Sequence, residues 1–94
     1  MPILQIEHEV PDYEAWKKAF DNDPIDRKNA GVQNYRISRT VDEPCIVIVE
    51  VAFDNMEQLQ STIHALQNLW NNVQGTIMLT PKTRVIELME SKDI

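Results

Sequence analysis

A chain of 94 residues, 43% hydrophobic and 26% charged, has the make-up of one ordinary globular domain spanning 1–94. Nine Lys and Arg against 15 Asp and Glu leave a charge of −6, which repels phosphate backbones and anionic lipid and argues against nucleic-acid and membrane partners. A single cysteine excludes an intramolecular disulfide, and no run approaches the ~20 apolar residues of a membrane span. MPILQIEHEV lacks the basic flank and apolar core of a leader, so the expected location is the cytoplasm.

The first predicted element is a strand over 3–10. Leu4, Ile6, His8 and Val10 share one face, and Ile3, Gln5, Glu7 and Glu9 the other. Pro11 ends it, and Asp12 has the chemistry of a helix N-cap. Tyr13, Trp16 and Phe20 recur at i, i+3 and i+7, an aromatic stripe on a helix that ends near Asn22. Asp23-Pro24 followed by Gly31 predicts a short helix over 24–30. Residues 32–40 read as a second strand, with a turn from Val41 to Pro44. The third strand, Cys45 to Phe53, reads CIVIVEVAF; only Glu50 interrupts the apolar run, the mark of a strand buried on both faces.

Asp54 with Glu57 three residues on is a capping-box pattern. It opens a helix whose Met56, Leu59, Ile63, Leu66, Trp70 and Val73 keep helical spacing up to Gly75. A segment Thr76 to Thr80 and Pro81 lead to a last strand, 83–90, apolar on both faces through Val85, Ile86, Leu88 and Met89. The tail from Ser91 is expected to fray.

The order β-α-β-β-α-β predicts an α+β, ferredoxin-like fold with a four-stranded antiparallel sheet. Two helices cover one face of such a sheet and leave the other bare. Since the third and last strands are apolar on both faces, a second copy is expected to cover the bare one, giving a homodimer.

The run His8-x-Val10-x-Asp12-Tyr13-x-x-Trp16-Lys17-x-x-Phe20-Asp21, then Gly31-Val32-x-x-Tyr35-Arg36, Arg39 with Asp42-x-Pro44, and Phe53-Asp54 resemble the dimeric α+β barrel superfamily. That superfamily includes antibiotic-biosynthesis-type monooxygenases, polyketide cyclases and muconolactone isomerases, and the chain looks most like its short cyclase-like proteins. The resemblance covers roughly 8–60 and implies a dimeric α+β barrel. In the heme-degrading branch a helix His works with an early Asn and a strand Trp; His64 matches the first, but 3–10 and 45–53 hold neither Asn nor Trp. The quinone-forming monooxygenases place an Asn one turn before a helix Trp, where this chain has Leu66 before Trp70.

The sequence contains no metal-ligand spacing, no Gly-rich phosphate loop and no nucleophile elbow, so neither a metal nor a tightly bound cofactor is expected. Three residues stand out for catalysis: His8, Arg36 and Glu50. An imidazole against apolar material suits a proton shuttle, although a strand-end histidine bonded to backbone fits the same pattern. A carboxylate in an apolar strand must be paired, exposed at a strand end, or raised in pKa. With the first and third strands as antiparallel neighbours, Glu50 is within range of His8 or Arg36, as an acid–base pair or as an ion pair at the dimer seam.

Trp16 and Trp70 either fill the core or line a pocket where an aromatic ligand stacks, with Tyr35 orienting it and His64 at its edge. Arg27, Arg36 and Arg39 either hold a carboxylate or enolate oxygen or pair with surface acids. Cys45 reads as a small hydrophobe. Two functions follow. One is a cofactor-independent cyclase, isomerase or monooxygenase-like enzyme on a small aromatic or polyketide-like molecule. The other is a non-catalytic dimer that binds a metabolite or a partner.

Overall fold

The computed structural model of the chain describes residues 1–23, 26–42, 45–73 and 79–94. Along the sequence run β1 (Pro2–Glu9), α1 (Tyr13–Asp21), β2 (Val32–Arg39), β3 (Ile46–Phe53), α2 (Met56–Val73) and β4 (Leu79–Glu87). The strands form one four-stranded sheet in the order β2-β3-β1-β4, every neighbouring pair antiparallel. This is the ferredoxin-like β-α-β-β-α-β arrangement that the element order predicts.

Local chemistry accounts for most boundaries. The Asp12 carboxylate accepts from the backbone N–H of Glu14 at 3.0 Å and of Ala15 at 3.4 Å, satisfying two donors at the start of α1. At α2 the cap is one residue later than the sequence pattern suggests. Asn55, not Asp54, accepts from the backbone N–H three residues on, Gln58 at 2.9 Å. Asparagine serves as well as aspartate there, so the Asp54–Glu57 spacing misleads by coincidence.

The predicted short helix over 24–30 is not present among the described residues. Pro24 and Ile25 lie outside them, and 27–31 form turns. Asp23 and Asp26 both adopt left-handed φ values, 55° and 54°, which break any helical run. Gly31 ends these turns at φ 90°, a value that favours glycine, and a side chain there would overlap Gln58 of α2.

The last strand also differs from the reading over 83–90. It begins at Leu79, includes Pro81, and ends at Glu87, leaving Leu88 and Met89 exposed beyond it. Pro81 is tolerated because β4 is an edge strand and because the pairing with β1 shifts between Glu7 and Glu9. The predicted segments 74–78 and Glu43–Pro44 lie outside the described residues.

The register assigns each strand residue to a face. On the helix-covered face, β1 contributes Leu4, Ile6 and His8, which stand opposite Val51, Val49 and Val47 of β3. The aliphatic residues among these, with Val10, Trp16 of α1, Phe53, and Leu59 and Leu66 of α2, form the core. Phe53, Leu4, Leu59 and Val47 are fully buried, each stabilising the fold by about 1.5–3 kcal/mol. The stripe of α2 is narrower than its spacing suggests: Met56 is 43% exposed, while Thr62 is buried. The opposite face carries Ile3, Ile46, Ile48 and Ile86, all half-buried, among Gln5, Glu7, Glu50 and Arg36. No helix among the described residues is long and apolar enough to cross a membrane.

Candidate functional site

His8 lies near the end of β1 on the helix-covered face, 3% exposed, and its ring packs against Trp16 of α1 with centroids 5.3 Å apart. Neither ring nitrogen has a hydrogen-bond partner among the described residues. The bonded strand-end histidine, the plainer sequence reading, is therefore not what is found. A buried polar group without a partner costs free energy, and such exceptions call for a reason. Burial withdraws water from the charged form and pushes the His8 pKa down to about 4, so the imidazole is neutral at physiological pH. Next to it the β1–β4 ladder slips: Glu7 faces Lys82 and Glu9 faces Leu79, so Thr80 and Pro81 stand opposite the single His8. Bulges of this kind recur beside active sites because they re-aim a side chain.

From His8 a row of rings runs along α1. Trp16 stacks on Phe20 at 5.3 Å and meets Tyr13 at 5.9 Å, and Phe20 meets Tyr35 of β2 edge-on at 5.1 Å. Two guanidinium groups lie over these rings: Arg39 at 4.6 Å from Tyr13, and Arg27 at 4.2 Å from Phe20 and 5.1 Å from Tyr35. Arg27 also donates to the Phe20 carbonyl at 2.9 Å and pairs with Asp23 at 3.4 Å, which ties the 27–31 turns to α1.

The sequence candidates do not form a single site. His8, Trp16 and Tyr35 are linked by ring contacts through Phe20, and Trp70 is half-buried against the same core. Glu50 stands opposite Gln5 and Arg36, so it faces the other side of the sheet from His8. There Arg36 and Glu50 form an ion pair at 3.2 Å. The His8–Glu50 acid–base pair is thus excluded by register: the two lie on opposite faces, an alternation fixed by the pleat. His64 is exposed, one residue past Ile63 and off the packed side of α2. Cys45 is free and half-buried. Among the described residues no group of three or more His, Cys, Asp or Glu is arranged to hold a metal ion.

The stripe of Tyr13, Trp16 and Phe20 is visible in the sequence, but its contact with His8, made through Trp16, is not. What places the stripe beside β1 is the tight Val10-Pro11-Asp12 link, which starts α1 soon after β1.

No protein-family model matches the sequence, and no curated protein matches it. Solved structures do match. A protein designated an antibiotic-biosynthesis monooxygenase from Deinococcus radiodurans, an assignment its own name qualifies, aligns over 100% of this chain and 98% of its own at 12% identity, TM-score 0.74. A dimeric ferredoxin-like protein from an uncultured marine organism aligns over 100% of both chains at 12% identity, TM-score 0.70. The heme degrader MhuD from Mycobacterium tuberculosis aligns over 97% of this chain and 99% of its own at 15% identity, TM-score 0.69. The chain shares the ferredoxin-like fold of these structures, among them several designated antibiotic-biosynthesis monooxygenases. At these identities the likeness is one of architecture, and one architecture hosts many activities.

Proposed function

We propose that the chain acts as a homodimeric, cofactor-independent enzyme that moves a proton on a small aromatic or polyketide-like molecule held between α1 and the sheet. The observation that carries this reading is His8: buried, neutral, beside Trp16, and without a partner on either nitrogen among the described residues. A neutral imidazole has one nitrogen to accept a proton from a carbon next to a carbonyl and another to donate to an oxygen. Its low basicity is a result of desolvation by burial. An enolate forming beside it attracts the imidazolium in the same dry surroundings, so basicity rises as the reaction proceeds. Return of the proton at a second carbon completes an isomerisation; attack of the enolate on a second carbonyl starts a ring closure.

Dimerisation is supported by the half-buried isoleucines of the open face and by the dimeric ferredoxin-like neighbour. MhuD is described with two hemes in its active site. In this chain the helix histidine, His64, is exposed, and β1 and β3 carry neither Asn nor Trp. These residues do not fit a heme, and the chemistry proposed for this chain runs without one.

The test is turnover of aromatic β-keto acids and phenolic ketones, followed by mass spectrometry, in wild type and His8→Phe. Phenylalanine keeps the ring packing against Trp16, so the variant folds. Loss of about 10²–10⁴-fold in rate is expected for removal of a proton-transfer group. Equal rates remove His8 from the mechanism. No conversion by the wild type of any compound that binds would leave the metabolite-binding dimer as the function.

A further inference from the structure

The helix-facing row that ends in His8 carries one more polar group. Arg39, Val47 and His8 stand opposite one another on β2, β3 and β1. Two strand spacings, about 10 Å, therefore separate the backbones of Arg39 and His8. Between them, on the helix side, lies the start of α1: the Arg39 guanidinium is 4.6 Å from the Tyr13 ring, and Tyr13 meets Trp16, which meets His8. Arg27, the other guanidinium on this side, is already neutralised by Asp23. Arg39 is exposed and has no acidic partner among the described residues, in a chain with 15 acids to choose from. A guanidinium over a ring keeps its in-plane N–H donors for a planar carboxylate.

We propose that Arg39 is the anion anchor of the site and that the ligand is an aromatic or polyketide-like molecule bearing a carboxylate. Its charged end lies at Arg39, its apolar body along Tyr13 and Trp16, and its reactive end at His8. This rests on the reading of His8 as the proton-transfer group, and it replaces Arg36, which the opposite face and Glu50 take out of contention.

Calorimetric titration with 1-hydroxy-2-naphthoate and with its neutral isostere 1-hydroxy-2-naphthamide tests it without turnover. Wild type is expected to bind the carboxylate about tenfold or more tightly than the amide, the range of a charge-assisted hydrogen-bonded pair. Arg39→Gln removes that preference and leaves amide binding unchanged; Arg39→Lys retains part of it; Lys18→Gln, an equal charge change on the exposed side of α1, retains all of it. Equal binding of the two compounds by wild type, a preference that survives Arg39→Gln, or binding of neither compound would each overturn the anchor. Failure here with His8-dependent turnover intact would retire the anchor alone. Carboxylate-selective binding without turnover of any compound would retire the proton transfer alone.

Discussion

On the helix side of β3, Val47, Val49 and Val51 are at most 6% exposed; on the other side of the same strand, Ile46, Ile48 and Glu50 stay half-buried. The first face is completed by α1 and α2 and holds His8 and the aromatic row. The second has larger aliphatic side chains, less cover, and an ion pair, Arg36–Glu50, in place of a core. Isoleucines left half-covered on one side of a sheet retain hydrophobic free energy that folding of a single chain does not recover. One face thus completes the core of the single chain, and the other is the one left for the proposed association with a copy.

Four tests break or sharpen this division. The largest effect is expected from Ile48→Lys. The new ammonium is tolerated in the isolated chain beside Glu7, which stands opposite, but is buried if a second sheet covers the face. Dissociation to the 10.9 kDa chain should be seen by light scattering; a variant that remains dimeric would move the interface elsewhere. Phe53→Ala, in the core, should cost about 3–5 kcal/mol in urea unfolding. By contrast, Ile48→Ala should lower stability in a manner that depends on protein concentration, since in the proposed dimer the contact it weakens is between chains.

The third is acid sensitivity seated in the covered face. His8 has its pKa depressed to about 4 in the folded chain against 6.5 when unfolded. As pH falls through that window the unfolded chain takes up the proton first, so stability present above pH 6.5 is lost toward pH 4. The loss amounts to about 2–3 kcal/mol. His8→Phe should remove that portion of the pH dependence between pH 7.5 and 4.5, while the carboxylates contribute equally to both proteins; identical pH profiles would contradict the buried, neutral imidazole. The smallest effect is at the edge of the cover: Asn55→Ala should cost about 1 kcal/mol, and Asp54→Ala much less. The reverse order would restore the cap to Asp54.

The residues that announced the fold did so through periodicities that tertiary structure could not override. The alternation of 3–10 told which side of β1 is buried, and CIVIVEVAF, interrupted only by Glu50, told that β3 carries apolar residues on both sides. The site was legible only as parts. His8 and Glu50 looked like possible partners because strand adjacency follows from topology, whereas register is set by long-range pairing; a one-residue difference puts them on opposite faces. His64 looked like an edge residue because a helical angle of 100° leaves its accessibility to whatever packs nearby. Pro81 read as a boundary because proline removes a donor, yet an edge strand beside a bulge has no use for that donor. The turns at 27–31 were hidden because left-handed aspartates carry no pattern.

Pro81 has a further consequence. The sheet ends on one side at β4, where Pro81, Lys82 and Arg84 line the strand, and on the other at β2, with Arg36 and Arg39. Missing donors and repeated positive charge make both rims poor templates for another strand, so ribbons and fibrils cannot readily grow outward from the sheet. Contact through the open face is then the route left to the dimer proposed above, and because such contact uses up the face on both molecules, assembly through it would stop at two.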